Sequence, residues 1–270
     1  MKSLYTFLFL LSAHLAVSQS RQEIHCKHFF YGYPYGTPAT NDLIIRDIYA
    51  LSNNDDTKFA DWVAYRLSMH EVDGDLTVER NWKADPWLAE EETLEPSPSS
   101  QDDYKDASRD LDSDRGHQAP LASFKGSRHA SHTNFLSNIT PQKADLNQGP
   151  WQLLEARVRE LVKATGEVYV MTGPVYQRTM PPLPNADETH KVPSGYWKII
   201  CIQEGSNISV AAFFFDQDTP RGDKIKDHKK TIDEIEQLSG LDFLWELPDS
   251  QENQIESTVN NAFINKYFGE

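Results

Sequence analysis

Positive charge, cysteine and long apolar runs are all scarce in this 270-residue chain. Lysine and arginine total 26 against 41 aspartates and glutamates, a formal charge of −15. That balance argues against a generic binder of nucleic acid, whose affinity comes largely from neutralising phosphates with a basic surface. A local cluster of cations stays compatible with it, with a metal ion supplying part of the positive field. The acidic excess gathers at Glu90-Glu91-Glu92, Asp102-Asp103 and 110–114, and reads as a solvated acidic loop. The two cysteines, Cys26 and Cys201, could close one long loop, but geometry decides that and sequence does not. Cys201 stands inside the apolar run 196–202, where a buried free thiol is an equal reading. The segment His25-Cys26-Lys27-His28 fits no structural zinc spacing, because three ligands within four residues rarely converge tetrahedrally.

No apolar run reaches the about 20 residues of a membrane-spanning helix. The run 4–15 follows a basic start, Met1-Lys2, and precedes the small residues Ala16-Val17-Ser18, the pattern of a signal peptide cleaved after Ser18. The expectation is a signal peptide over 1–18 and a single domain over 19–270, secreted or periplasmic, with no membrane contact after cleavage. Losing Lys2 takes the charge from −15 to −16. Internal repeats and regular βαβ alternation are also absent, which points to an α+β fold with one sheet system.

The elements that can be read start with a strand-like run over 43–52, a turn at Asn53-Asn54-Asp55-Asp56 and a second run over 62–67, together an antiparallel hairpin. Residues 83–112 are rich in Pro, Ser, Asp and Glu and mark a long surface excursion. Trp151, Leu154, Val158, Leu161 and Val162 recur at helical spacing, so 150–163 is a helix, with Pro150 in its first turn and Gly166 as its stop. Strands are expected over 167–172 and 209–215, the second apolar enough to be buried on both faces. A late helix covers 232–238 and stops near Gly240.

Three neighbouring stretches carry the chemistry: Asp114-Arg115-Gly116-His117-Gln118-Ala119-Pro120, Ser137-Asn138-Ile139-Thr140-Pro141-Gln142 and Asp145-Leu146-Asn147-Gln148-Gly149-Pro150-Trp151. Hydrolysis of a phosphodiester needs an activated water, charge stabilisation on phosphorus and help for the leaving oxygen. A histidine with an ordinary pKa near 6.5 can accept the proton of water. Most of the nine histidines lack such company and read as structural; His117 is set apart by its context. Asn147 offers the neutral oxygen that Mg²⁺ accepts while keeping several waters, and as a helix-entrance residue it also suits a capping role. Glu155 and Arg159 are four apart on one helix face, a spacing that elsewhere marks a weak surface ion pair.

These stretches resemble the secreted, sugar-non-specific DNA/RNA endonucleases of the ββα-metal (His-Me finger) superfamily, endonuclease G-like enzymes included. Trp62-Val63-Ala64-Tyr65, Arg80-Asn81-Trp82, Thr172-Gly173-Pro174, Tyr196-Trp197-Lys198 and Phe215-Asp216-Gln217 match family landmarks in the expected order, so the likeness covers about 44–248. It implies a central antiparallel sheet flanked by helices, His117 at the end of a β-element and Asn147 at the start of the long helix. It further implies His117 as general base, Asn147 as direct metal ligand, and Glu155 acting on the metal through water. Arg115 and Arg80 would stabilise phosphate, and Arg159, Asn138 and Gln142 would contact substrate. The cofactor would be Mg²⁺, with Mn²⁺ as a substitute, and the substrates DNA and RNA. A close cysteine pair near the mature N-terminus of some members is missing here.

Two other readings stay open: a catalytically weak nuclease-fold binding module, and a phosphodiesterase for a smaller phosphate ester. The sequence does not decide between a monomer and a homodimer. Asn138-Ile139-Thr140 and Asn207-Ile208-Ser209 fit the glycosylation pattern, and a glycan on Asn138 would conflict with a site role.

Overall fold

The structure is a computed structural model that describes residues 21–96 and 102–269; the expected signal peptide lies outside them. The sheet strands are β1 (Asp42–Ile45), β2 (Ala50–Asn54), β3 (Phe59–Ser68), β6 (Glu167–Val175), β7 (Gly195–Glu204), β8 (Asn207–Asp216) and β9 (Lys229–Lys230), in the order β1-β2-β3-β6-β7-β8-β9. Every neighbouring pair is antiparallel. A separate two-stranded unit pairs β4 (Ser113–His117) with β5 (Ile139–Lys143). The helices are α1 (Met69–Val72), α2 (Ala107–Leu111), α3 (Ala144–Leu146), α4 (Gln152–Thr165), α5 (Ile232–Ser239), α6 (Asp249–Glu256) and α7 (Asn261–Phe268).

Period-2 alternation splits the sheet into two buried faces. Val63, Tyr65 and Leu67 of β3, and Tyr196, Ile200 and Ile202 of β7, pack with Leu154, Val158, Leu161 and Val162 of α4 and Phe263, Ile264 and Phe268 of α7. Trp62 and Ala64, with Trp197, Ile199 and Cys201, turn the other way, onto Ile232 and Ile235 of α5 and the segment carrying Phe243, Leu244 and Leu247. Strand β8 is buried on both faces, as its near-continuous apolar sequence requires: Ala211, Phe213 and Phe215 join one core, Val210 and Ala212 the other. Both cysteines are free thiols.

Three expectations need correction. The run 43–52 is two strands, because the backbone turns at 46–49, where the Arg46 N–H donates to the Tyr49 carbonyl at 2.8 Å. The turn sends Arg46 inward to a buried ion pair with Asp85. The excursion over 83–112 has a small core of its own. Among its described residues Leu94, Tyr104 and Ala107 pack with Phe59, Leu136, Ile139, Leu183 and Val192 and Asp103 is fully buried, whereas Glu90 and Glu91 are exposed. The helix expected over 150–163 runs from Gln152 to Thr165, preceded by a wide π turn over Asn147–Trp151. Gly149 leaves helical geometry there (φ −111, ψ −119), and a Cβ on it would meet the Arg221 backbone at 2.7 Å. Pro150 lacks the N–H that a continuous helix would use. Gly166 stops the helix at φ 87. α6 and α7 complete the C-terminal part beyond the readable pattern.

Candidate active site

Strand β4 sets Arg115 and His117 two residues apart, hence on one side of the strand. The π turn presents Asn147, and α4 presents Glu155 and Arg159 one turn apart, beside its buried Leu154 and Val158. The segment after α1 brings in Arg80 and Trp82. All seven line one cleft of about 410 Å³, within the range of a ligand site.

His117 is oriented by a residue that sequence reasoning missed. Backbone bonds between Lys83 and the stretch 134–136 (Lys83 N to Asn134 O 3.2 Å, Leu136 N to Lys83 O 2.9 Å) fix the position of Asn134. Its amide nitrogen donates to the Glu79 carbonyl at 2.9 Å, so its oxygen faces His117 Nε2 at 3.1 Å. An amide oxygen only accepts, so Nε2 carries the hydrogen and Nδ1 keeps a lone pair. Trp82 lies 5.4 Å from the imidazole, ring to ring. Burial pushes the His117 pKa down to about 4, the Asn134 bond opposing and the Arg80 charge assisting. The ring is thus neutral well below the pH at which an ordinary histidine would be.

Asn147 donates its amide hydrogen to Asp114 Oδ2 at 2.8 Å, and Gln148 donates to the same oxygen at 2.8 Å. Asp114 therefore pins the nitrogen end and leaves the amide oxygen as the free hard donor. With the Glu155 carboxylate lining the same cleft, this donor set fits a divalent cation that keeps most of its waters. Burial raises the Glu155 pKa, against the pull of Lys198 and Arg159. Lys198 is fully buried. Strand alternation places it on the α4 face of β7, with its ammonium 4.2 Å from the centroid of the Trp151 ring. Burial lowers its pKa while Glu155 raises it, so each group sustains the charge of the other.

The Arg115 guanidinium binds Asp102 at 2.6 Å and lies 5.5 Å from the Trp82 ring centroid and 5.0 Å from that of Tyr104. Arg115 Nε, Arg159 Nη1 and Lys198 Nζ have no hydrogen-bond partner among the described residues. Cationic side chains that keep donors open around a cleft contribute a local positive field for an anion, in a chain whose net charge is strongly negative.

Two expected substrate contacts are placed elsewhere. Asn138 is fully buried. Its oxygen accepts from the Ala119 N–H (2.9 Å), and its nitrogen donates to the carbonyls of Ala119 (3.0 Å) and Thr133 (2.8 Å). It clamps the chain behind His117 and is closed to a glycan in the folded protein. Gln142 is 1% exposed and packs on Gly116, where a Cβ would meet its side chain at 2.6 Å. Both follow His117 by short motif spacing, but the turn over Leu136–Asn138 encloses Asn138 and β5 turns Gln142 inward.

A two-stranded unit carrying a histidine, followed by a helix whose entrance carries an amide side chain, defines the ββα-metal nuclease class. A model of the DNA/RNA non-specific endonuclease family matches residues 29–250, and the chain belongs to this family of divalent-metal-dependent hydrolases. It is 44% identical over 222 residues to a nuclease of Serratia marcescens, covering 81% of each chain. It is 30% identical over 250 residues to a nuclease of Nostoc sp., covering 87% of this chain and 86% of that one. A chain of the solved EndoG/EndoGI complex shares the fold, with a TM-score of 0.65 at 24% identity over 86% of this chain and 94% of that one.

Proposed function

We propose that this protein is an exported, Mg²⁺-dependent endonuclease that cleaves DNA and RNA with little sequence preference. The observation that carries this reading is the neutral His117, its Nδ1 lone pair left free by Asn134, in the same cleft as Asn147 and three arginines. Export is motivated by the leader-like pattern of residues 1–18. Among the described residues no helix is long and apolar enough to cross a membrane.

His117 Nδ1 takes a proton from water, and the oxygen of that water attacks phosphorus in line with the leaving 3′ oxygen. Asn134 accepts the Nε2 hydrogen throughout, which holds the ring in the productive tautomer. Arg80, Arg115 and Arg159 orient the phosphodiester and offset charge as it builds on the equatorial oxygens. Asn147 and Glu155 would hold the cation, which supplies Lewis-acid stabilisation of the transition state and of the leaving group. Attack by external water needs no 2′-hydroxyl, so both sugars are accepted.

The test is digestion of circular plasmid DNA and of RNA by the mature chain, with Mg²⁺ and with EDTA, using His117→Ala as control. Loss of both substrates, blocked by EDTA and reduced roughly 10²–10⁴-fold by the mutation, is the expected result. Degradation of RNA alone would overturn the sugar-independent mechanism. Intact substrates under every condition would return the binding module or the small-ester phosphodiesterase.

A further inference from the structure

Away from the cleft, three carboxylates converge, two from the 83–112 excursion and one from the loop at Glu188. Oxygens of Glu95, Asp103 and Glu188 all lie within 4.8 Å of one another. Asp103 is fully buried. One of its oxygens accepts from the Glu95 N–H at 2.5 Å, while the other, Oδ1, has no partner among the described residues. Glu188 Oε2 is likewise buried and unpartnered. A buried anionic oxygen left unpaired is expensive unless a proton or a cation compensates it.

The surroundings supply no such cation from the protein. Glu90 and Asp187 bear on the cluster with further negative charge, and among the described residues no lysine or arginine pairs with its three members. His190, beside it, is held by both nitrogens: Nδ1 bonds the Glu188 carbonyl at 2.8 Å and Nε2 accepts from the Leu183 N–H at 2.9 Å. Both nitrogens are thus spent on backbone partners, which shapes the Glu188 turn. Asp102 is spent on Arg115. The pKa values of Glu95, Asp103 and Glu188 are all raised, that of Glu95 to about 7, through a hydrogen bond with Glu90 and then burial.

We propose that Glu95, Asp103 and Glu188 form a second divalent-cation site, structural rather than catalytic, and suited to Ca²⁺. Calcium takes six to eight oxygens at about 2.3–2.6 Å in adaptable geometry, including bidentate carboxylates. Two such bonds span at most about 5 Å, which matches the spacing of the cluster. Magnesium demands a tighter octahedron and holds its waters, which an all-carboxylate cluster does not favour. The ion would join the excursion at Glu95 and Asp103 to the loop at Glu188. It would also fix the stretch whose next-door residues support the cleft, Asp102 through its bond to Arg115 and Tyr104 through its ring.

The test uses the mature chain carrying Asn147→Ala, which weakens metal binding in the cleft, stripped with EDTA and dialysed. Calorimetric titration with CaCl₂ is expected to show one equivalent bound. Calcium at a hundred times its Kd should raise Tm by roughly 5–10 °C. Glu188→Gln, on a surface turn, should abolish both effects and raise Tm in EDTA, because it removes one of three repelling carboxylates. Asp103→Asn should abolish binding as well. Unchanged heat and Tm up to millimolar calcium would overturn the site, and so would an undiminished calcium response in a folded Glu188→Gln variant. An equal response to MgCl₂ would overturn the assignment to calcium. None of these readouts depends on nuclease activity.

Discussion

The protonation state of His117 rests on one amide, so Asn134→Asp is the sharpest perturbation of the site. In the native protein a pKa of about 4 leaves roughly 0.1% of the ring protonated at pH 7. A carboxylate in place of the Asn134 oxygen would face Nε2 at a distance near the present 3.1 Å. Two unit charges about 4 Å apart attract by about 4 kcal/mol at an effective dielectric constant of 20, equal to about three pKa units. The open side of the cleft screens part of that, so a rise of about one to three units is expected. Asn134→Ala acts the other way, because it removes the bond that supports the imidazolium. The assay is a ¹³C-histidine NMR titration, with the His117 signal assigned by its loss in His117→Gln. The native signal should stay in the neutral form, protonated at Nε2, through pH 5. In Asn134→Asp it should titrate between about 5 and 7, and the acid limb of the rate profile should move up with it. A native His117 midpoint near 6.5, or the opposite tautomer, would refute the reasoning.

Three further outcomes follow from the contacts. Asn147→Ala removes the hard donor, so half-maximal activity should need at least tenfold more Mg²⁺, read from a metal titration; an unchanged requirement would place the ligand elsewhere. Asn138→Ala breaks three buried hydrogen bonds and should lower stability by about 3–5 kcal/mol in denaturant unfolding. At low temperature kcat/KM should stay within a few fold, and a folded but inactive variant would restore Asn138 as a substrate contact. Glu256, buried near Glu236 and Glu252, has a pKa raised to about 8, so it contributes stability below about pH 4.5 that is lost as pH rises through 8. His28 and His117, both lowered to about 4, contribute stability above 6.5 that is lost toward 4. Tm should therefore fall on both sides of a maximum, and Glu256→Gln should flatten the alkaline side in a thermal melt at pH 8.

Much of the site was legible because the residues of the ββα unit are close in sequence. His117 and Asn147 belong to stretches whose spacing is set by one strand and one helix entrance. The pair Glu155 and Arg159 needed only the helical period. Asn134 was not legible: it belongs to no motif, and its role depends on a backbone ladder with Lys83 about 50 residues earlier. Lys198 was hidden differently, as one cation inside an apolar strand. Only the pairing of β7 with β6 and β8 shows which face it takes, and therefore that it meets Glu155. Asn138 and Gln142 are buried for the converse reason, because nearness in sequence to His117 does not decide which way a side chain points.

Charge carries the same lesson at larger scale. The overall balance of −15 describes the whole chain, whereas the proposed substrate cleft is lined by Arg80, Arg115 and Arg159, with Lys198 beneath it. Several acidic residues act as scaffolding for that cleft. Asp114 orients the amide of Asn147 and Asp102 steadies Arg115. An acidic composition therefore does not oppose binding of a polyanion when the carboxylates are spent on placing cations and the cations face the substrate. Net charge governs long-range approach, which salt screens beyond about 10 Å, while the groups within the cleft govern the bound state.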